Sequence, residues 1–238
     1  IVDSLVGSEM CIRDRFSHTL PIFPCIHAVL LFRLALWRNR SPHDLLGAHV
    51  DLRTGQWTQA DAGIGRGIDS FYEYMLKAHM LFGDVQYLAI FHDIYYAALE
   101  HLKHGAWYID AHVLTAQVTW PLFNSLQCFW PGLQFLMGEV ELGVDTLRAF
   151  HALWLHVGFH PEGFNLATLE VQEGQASFIP IFPICKPHFH YVTPLCFHIS
   201  SDYFSHFQAG YPLRPEHAES LFYAHRTTHG VEWLEAGK

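Results

Sequence analysis

Two pairs of acidic residues at helical spacing are the strongest candidates for chemistry in this 238-residue sequence. Asp69 and Glu73 lie four positions apart, and Glu216 and Glu219 lie three apart, so each pair is predicted to share one face of a helix. Paired carboxylates can transfer protons as general acid and general base, or bind a hard cation through oxygen. Acids near the start of a helix also stabilise it through the macrodipole. Spacing alone therefore leaves a catalytic and a structural role open.

The residues that precede each acid pair predict the backbone conformation there. Three glycines in the segment 63–67 precede Asp69; they allow a sharp turn and leave room for a ligand near the backbone. Pro215 directly precedes Glu216 and suits the first turn of a helix. Both pairs are thus predicted to lie near helix starts.

Charge and composition narrow the range of partners. The formal net charge is −9, from 14 basic and 23 acidic residues. A nucleic-acid partner is therefore not predicted, because phosphate binding needs clustered Lys and Arg. A neutral polymer such as sugar is compatible with this balance. With 50% hydrophobic and 16% charged residues, the composition is that of a folded domain.

The histidines and cysteines show no metal-binding pattern along the sequence. The 19 histidines are scattered, without an HExxH motif or paired Cys/His spacing. The five cysteines form neither a CxxC motif nor an even disulfide set. We therefore interpret His79, His92 and His151 as surface or core residues, and predict no protein-only metal site.

Apolar residues recur at helical spacing between residues 33 and 175. The clearest runs begin at Ile68 and Leu88, with helix ends predicted at Gly83-Asp84 and His104-Gly105. Further helices are predicted at about 122–138, 141–158 and 215–228. Successive amphipathic helices with short links predict an all-α domain, although a bundle or a solenoid would fit the periodicity equally well.

Two segments differ in character from this helical part. Residues 1–32 lack both periodicities, and the run 4–15 resembles a translated sequencing adapter, so we interpret them as an artefactual, non-family leader. The apolar stretch 20–32 is about 13 residues long, whereas a membrane span needs about 20. Residues 176–209 hold four prolines and almost no charge, which excludes a helix. We interpret them as an irregular insertion, either a retained intron or a lineage-specific surface loop.

Four ordered segments carry a resemblance to a known family. Residues 65–74 and 211–220, which contain the two acid pairs, resemble the signature segments of class I α-1,2-mannosidases, glycoside hydrolase family 47. The segments 34–41 and 129–134 also resemble parts of that family. The stretch from Trp107 to Gln134 is most similar to its ER degradation-enhancing (EDEM) branch. The resemblance covers about 33–175 and 210–238, read as two parts of one catalytic domain.

The resemblance implies a fold and a chemistry. The fold would be a partial (α/α)7 barrel that lacks N- and C-terminal helices, and the reaction would be an inverting hydrolysis of mannose that uses Ca²⁺. Inversion needs two carboxyl groups about 6.5–9.5 Å apart with water between them. By resemblance, Glu216 is the candidate general base and Asp69 the second catalytic carboxylate. Glu73, Arg214 and Glu219 would bind the substrate, and the ring of acids would help to hold calcium.

The sequence also departs from the family pattern. The family's other catalytic acid is expected upstream of residue 33, and its direct calcium ligand, a threonine, is expected beyond Lys238. Asn124 stands where many members carry Asp, and Gly67 replaces an arginine that sets branch preference. The 238-residue chain is therefore expected to be an incomplete piece without activity of its own.

The function implied by the resemblance is the trimming of high-mannose N-glycans on misfolded glycoproteins, which marks them for degradation. The resemblance places the protein in the endoplasmic reticulum lumen, in a pathway associated with that organelle's membrane. The alternative is a non-hydrolytic mannose-binding lectin or adaptor that uses the same pocket. The four intact carboxylates favour hydrolysis, since a lectin has no physical need of a water-activating carboxylate.

Overall fold

The computed structural model describes residues 33–51, 53–171 and 214–238. The predicted leader (1–32) and insertion (176–209) lie outside the described residues, and the predicted division of the catalytic domain stays a prediction. Within the described ranges, no helix is long and apolar enough to cross a membrane.

Helices dominate the described part of the chain, which confirms the predicted helical fold class. Residues 33–38 are helical, and a 3-10 helix spans Ser125–Phe129. The longer helices are α1 (Asp69–Phe82), α2 (Val85–His101), α3 (Trp130–Met137), α4 (Val140–Val157), α5 (Glu216–Thr228) and α6 (Val231–Ala236).

The first two long helices form a hairpin whose turn follows from local chemistry. Gly83 ends α1 in the left-handed conformation, with φ of 70°, and donates its N–H to the carbonyl of His79 at 2.8 Å. Asp84 caps α2 by accepting the N–H of Gln86 at 2.9 Å. The predicted end of α1 is therefore confirmed. The predicted end of α2 is wrong by a few residues, because α2 stops at His101 and Gly105 lies in a strand turn.

Short antiparallel strands, absent from the sequence prediction, connect the helices. They are β1 (His49–Val50), β2 (Trp57–Gln59), β3 (Asp61–Ala62), β4 (Lys103–His104), β5 (Trp107–Tyr108), β6 (Asp110–His112), β7 (Val118–Trp120), β8 (Leu122–Phe123), β9 (Phe164–Asn165) and β10 (Glu170–Val171). The sheet orders are β1-β2, β3-β6-β7, β4-β5 and β10-β9-β8. The β3–β6 pairing fixes the chain ahead of α1, and the β8–β9 pairing brings the segment after α4 beside the 3-10 helix.

Trp130, the first residue of α3, lies at the centre of the main core and is fully buried. Its ring stacks on Tyr95 at 5.4 Å and meets the edges of Tyr72 and Tyr108 at 5.1 and 5.3 Å. Gln134, one turn further along α3, donates to the hydroxyl of Tyr108 at 3.0 Å. Helices α1, α2 and α3 are therefore held together by one aromatic cluster.

A close approach joins α3 to α5. The N–H of Gly132 donates to Ser220 Oγ at 2.9 Å, and that hydroxyl donates to the carbonyl of Cys128 at 2.5 Å. A Cβ at position 132 would lie 3.0 Å from Ser220 Oγ and 3.2 Å from the ring of Tyr223, so only glycine fits without displacement. This contact sets where the first turn of α5 lies.

We predict that Trp130→Ala lowers the free energy of unfolding by about 3–5 kcal/mol, because it opens a cavity in the fully buried aromatic cluster. Urea unfolding followed by circular dichroism measures the change. Trp120→Ala is the matched control, since Trp120 is 48% exposed and its loss should cost about 1 kcal/mol or less. Equal costs for the two variants would contradict this view of the core.

Candidate active site

The two predicted acid pairs lie near the starts of two helices. Asp69 is the first residue of α1, with Glu73 one turn later. Glu216 is the first residue of α5, and Glu219 follows in the same turn. The N–H of Asp69 donates to the carbonyl of Gly65 at 3.0 Å, so the glycine segment folds directly into α1.

Lys77 joins the two acid pairs. Its Nζ donates to Glu73 Oε1 in a short ion pair and to Glu219 Oε1 at 3.2 Å. Burial alone would lower the pKa of Lys77, but its bonds to the two carboxylates raise it above its usual value. The ammonium therefore stays charged and holds α1 against α5. Sequence reasoning missed Lys77, although its i,i+4 spacing from Glu73 was a usable signal.

Arg214 is held by a carboxylate that the sequence analysis did not select. Its Nε and Nη2 donate to the two oxygens of Glu162 at 2.6 and 2.9 Å, a bidentate geometry that fixes the guanidinium plane. Ser125 Oγ also donates to Glu162, at 2.8 Å. The hydrogen bond from Arg214 is the main cause that lowers the pKa of Glu162. Nothing local in the sequence marks Glu162, because its partner is 52 positions away.

The pKa of Asp69 is raised to about 6, mainly by burial and to a smaller extent by the charges of Glu73 and Glu216. The backbone of Ser70 and the charge of Arg214 act in the opposite direction. Asp69, Glu216 and Arg214 are thus close enough to influence one another, although they come from opposite ends of the described chain. A carboxyl group with this pKa can both give and take a proton near neutral pH.

Glu216 combines burial with an unused oxygen. Burial is the main cause that raises its pKa, while Arg214 lowers it and Glu219 raises it. Its Oε2 is buried and makes no hydrogen bond to any residue that the structure describes. Such an atom is costly unless a ligand or water satisfies it. Glu216 Oε2 is therefore available to accept a hydrogen bond from a ligand or a water molecule.

Asn124 contributes an amide to the same region. It is buried, and its Oδ1 also makes no hydrogen bond within the described part of the chain. A Cβ on Gly65 would lie 2.6 Å from Asn124 Nδ2, so the glycine allows the loop before α1 to pass over this amide. At Gly65 the space that a side chain would need is taken by Asn124 and Gln127 of the same chain, so the predicted approach of a ligand to this glycine segment stays a prediction.

The acids linked by Lys77 border a shallow depression. Its walls are Glu73, Lys77, Phe129, Gly132, Leu133, Leu136, Glu219 and Tyr223. Neither Asp69 nor Glu216 lines it, so the depression belongs to the part of the candidate site around Lys77.

Residues 28–238 match the family described as Glycosyl hydrolase family 47. The chain belongs to this family.

Two relatives are similar to this chain over most of its length. Alpha-mannosidase I MNS4 of Arabidopsis thaliana is 45% identical over 203 residues, covering 85% of this chain and 27% of the relative. ER degradation-enhancing alpha-mannosidase-like protein 2 of Homo sapiens is 32% identical over 221 residues, covering 92% of this chain and 32% of the relative. The chain thus spans about a third or less of the length of these relatives.

Among solved structures, an alpha-1,2-mannosidase from Trichoderma reesei superposes with a TM-score of 0.49 at 22% identity, over 77% of this chain and 38% of that one. The family 47 assignment itself rests on the sequence match. The match of residues 28–238 to family 47 confirms the resemblance drawn from the motifs at residues 65–74 and 211–220.

We predict that Asp69→Asn raises the free energy of unfolding at pH 7 by about 1–2 kcal/mol. This figure is reduced for solvent screening because Asp69 is partly exposed. The raised pKa means that folded Asp69 binds its proton more tightly than the unfolded chain does. Its presence therefore costs stability progressively as the pH rises from about 4 through about 6, and the cost is absent below pH 4.

Unfolding measured at pH 4 and pH 7 tests this prediction. Asp93→Asn, on the exposed face of α2, is the control and should change stability by no more than about 0.5 kcal/mol at either pH. The prediction is wrong if Asp69→Asn changes stability equally at the two pH values.

Proposed function

We propose that this chain carries active-site residues of a mannosyl-oligosaccharide α-1,2-mannosidase that trims N-glycans of misfolded glycoproteins by inverting hydrolysis. Membership of family 47 supports a glycoside hydrolase of the mannosidase class. Relatives whose names describe alpha-mannosidase I and ER degradation-enhancing proteins support a role in ER degradation. The observation that carries the proposal is the buried, unpartnered Glu216 Oε2 beside Asp69.

In this proposal Glu216 is the general base. Its free oxygen would accept a proton from the attacking water, and the raised pKa of the carboxyl group makes it a stronger base than an exposed glutamate. Asp69 is the second carboxylate, able to hold a proton near neutral pH. An inverting reaction requires that the two groups act on opposite faces of the sugar.

The remaining site residues would position the sugar. Arg214 is oriented by its bidentate pair with Glu162, so its guanidinium can meet a hydroxyl in a fixed direction. Glu73 and Glu219 share the single positive charge of Lys77 and would accept hydrogen bonds from sugar hydroxyls. The substrate class supported by these polar contacts is a neutral, hydroxyl-rich glycan of the high-mannose type.

The same acids fit the calcium ion that the family assignment implies. They offer oxygen donors, which Ca²⁺ prefers, and the unpartnered Glu216 Oε2 is suited to a cation or to one of its waters. Asp69, Glu216 and Glu219 would hold the ion indirectly, while Lys77 already occupies the space between Glu73 and Glu219. When bound, the ion would supply a hard Lewis acid for sugar hydroxyls and water.

A non-hydrolytic, mannose-binding adaptor is the second candidate. Asn124 favours it, because this buried position is an acid in many family members by the resemblance stated above, and an amide cannot transfer a proton as a carboxyl group does. Release of mannose from a nine-mannose glycan by the intact parent protein distinguishes the two. In either case we propose the endoplasmic reticulum lumen as the location and misfolded glycoproteins as the partners.

For the intact parent protein, we predict that Glu216→Gln lowers the rate of mannose release by about 10²–10⁴-fold, because the amide removes the general base. The measurement is release of mannose from a nine-mannose glycan. Glu235→Gln is the control, since Glu235 is exposed and pairs only with Lys238 among the described residues. Full activity of the Glu216→Gln variant would refute Glu216 as the general base, whereas absence of mannose release from the unmodified parent protein would favour the adaptor.

We further predict that the 238-residue chain by itself releases no mannose, because the resemblance places a second catalytic acid and the calcium-binding threonine outside this sequence. The same assay with added Ca²⁺ tests this. Calcium-dependent release by the chain alone would show that the described residues suffice, and the assignment of the missing groups would then be wrong.

A further inference from the structure

Three buried side chains of types that can bind a metal ion lie together next to the candidate active site, where His217 directly follows Glu216 in α5. Cys128, His160 and His217 are buried, and one ligand atom from each lies within 4.8 Å of the other two. Cys128 belongs to the 3-10 helix, His160 follows α4, and His217 is the second residue of α5. The three segments are distant in sequence, so the fold alone brings these groups together.

The distances are close to those of a tetrahedral zinc site. Cys128 Sγ lies 3.2 Å from His160 Nδ1. Zn–S and Zn–N bonds of about 2.3 and 2.0–2.1 Å imply S···N and N···N separations of roughly 3.3–3.6 Å in a tetrahedral site. The other separations between the ligand atoms of the cluster are no longer than 4.8 Å.

Hydrogen bonds prepare His160 as a ligand. Its Nε2 lies 2.7 Å from the carbonyl of Phe150, a group that can only accept, so Nε2 carries the proton. The lone pair of the neutral ring is therefore on Nδ1, the atom that faces Cys128. A metal-binding histidine commonly has this arrangement, in which a backbone carbonyl fixes the tautomer.

His217 supplies an independent observation. Its Nδ1 is buried and makes no hydrogen bond to any described residue, while its Nε2 lies 3.2 Å from His151 Nδ1. Donation from His217 Nε2 to His151 would leave a lone pair on the unpartnered Nδ1. Trp154 stacks on the His217 ring at 5.5 Å and holds its plane. The unpartnered nitrogen is the atom that an ion would satisfy.

The cluster offers one thiol and two imidazoles, which are donor types that suit zinc. A coordinating Zn²⁺ deprotonates a thiol outright, so Cys128 would bind the ion as a thiolate.

We propose that Cys128, His160 and His217 bind one Zn²⁺ ion, with water in the fourth position and His151 supporting His217. Binding releases the Cys128 proton to solvent and leaves one thiolate and two neutral imidazoles on the metal. The sulfur and nitrogen ligands select zinc over calcium, so this site is distinct from the oxygen-rich acid cluster. Zinc would join the 3-10 helix, the segment after α4 and the start of α5. The sequence analysis predicted no such site because its ligands have no local spacing pattern.

Cobalt substitution tests the site in the full 238-residue chain. After removal of metal with a chelator, Co²⁺ should bind with a stoichiometry of one, give thiolate-to-cobalt charge-transfer absorption, and be displaced by Zn²⁺. Cys128→Ala should abolish the charge-transfer band, and His160→Asn and His217→Asn should each weaken Co²⁺ binding at least tenfold. His104→Gln, at an exposed histidine, is the matched control and should leave the titration unchanged.

X-ray absorption of the zinc-loaded, unmodified chain tests the site without requiring that any variant folds. It should show one sulfur at about 2.3 Å and nitrogen or oxygen neighbours at about 2.0–2.1 Å. The proposal is overturned if the zinc spectrum lacks sulfur, or if Cys128→Ala binds Co²⁺ with the same spectrum and affinity as the unmodified chain.

Discussion

The close approach of α3 and α5 is the constraint on which the candidate site depends. Ser220 accepts the N–H of Gly132 and donates to the carbonyl of Cys128, so one hydroxyl links two backbone segments. This contact places the first turn of α5 against α1, where Glu219 reaches Lys77. Without a glycine at position 132 the helices would have to separate, and the acid pairs would lose their common cation.

The carboxylates of the candidate site lie close together, and Lys77 and Arg214 offset part of their negative charge. Lys77 offsets one of the two negative charges of Glu73 and Glu219. Arg214 pairs with Glu162 and also interacts with the charges of Glu216 and Asp69. Asp69 and Glu216 are left without a direct cationic partner in the described contacts, and their pKa values rise as a result of burial. The carboxylates paired with Lys77 and the two proposed catalytic carboxylates therefore lie in different electrostatic surroundings.

Local sequence signals predicted the start of α1 and the helical placement of both acid pairs. Glycines, a proline and i,i+3 or i,i+4 spacing act over a few residues, so they can be read directly. The helix predicted from about residue 122 begins instead at Trp130, because β8 and the 3-10 helix occupy its first part. Strands of two or three residues are too short to show alternation. Glu162 and the His160 cluster were missed because their partners lie at least 32 positions away. The contact of Lys77 with Glu219 spans 142 positions, whereas its i,i+4 spacing from Glu73 was a local signal that the sequence analysis did not use.

The link from Ser220 to Cys128 also has a consequence for chain length. It closes a loop of 92 positions. Closure entropy grows only with the logarithm of loop length, so making such a loop half as long again costs about 0.4 kcal/mol. The chain between β10 and α5 can therefore gain or lose many residues across related genes while the two acid pairs keep the same contact.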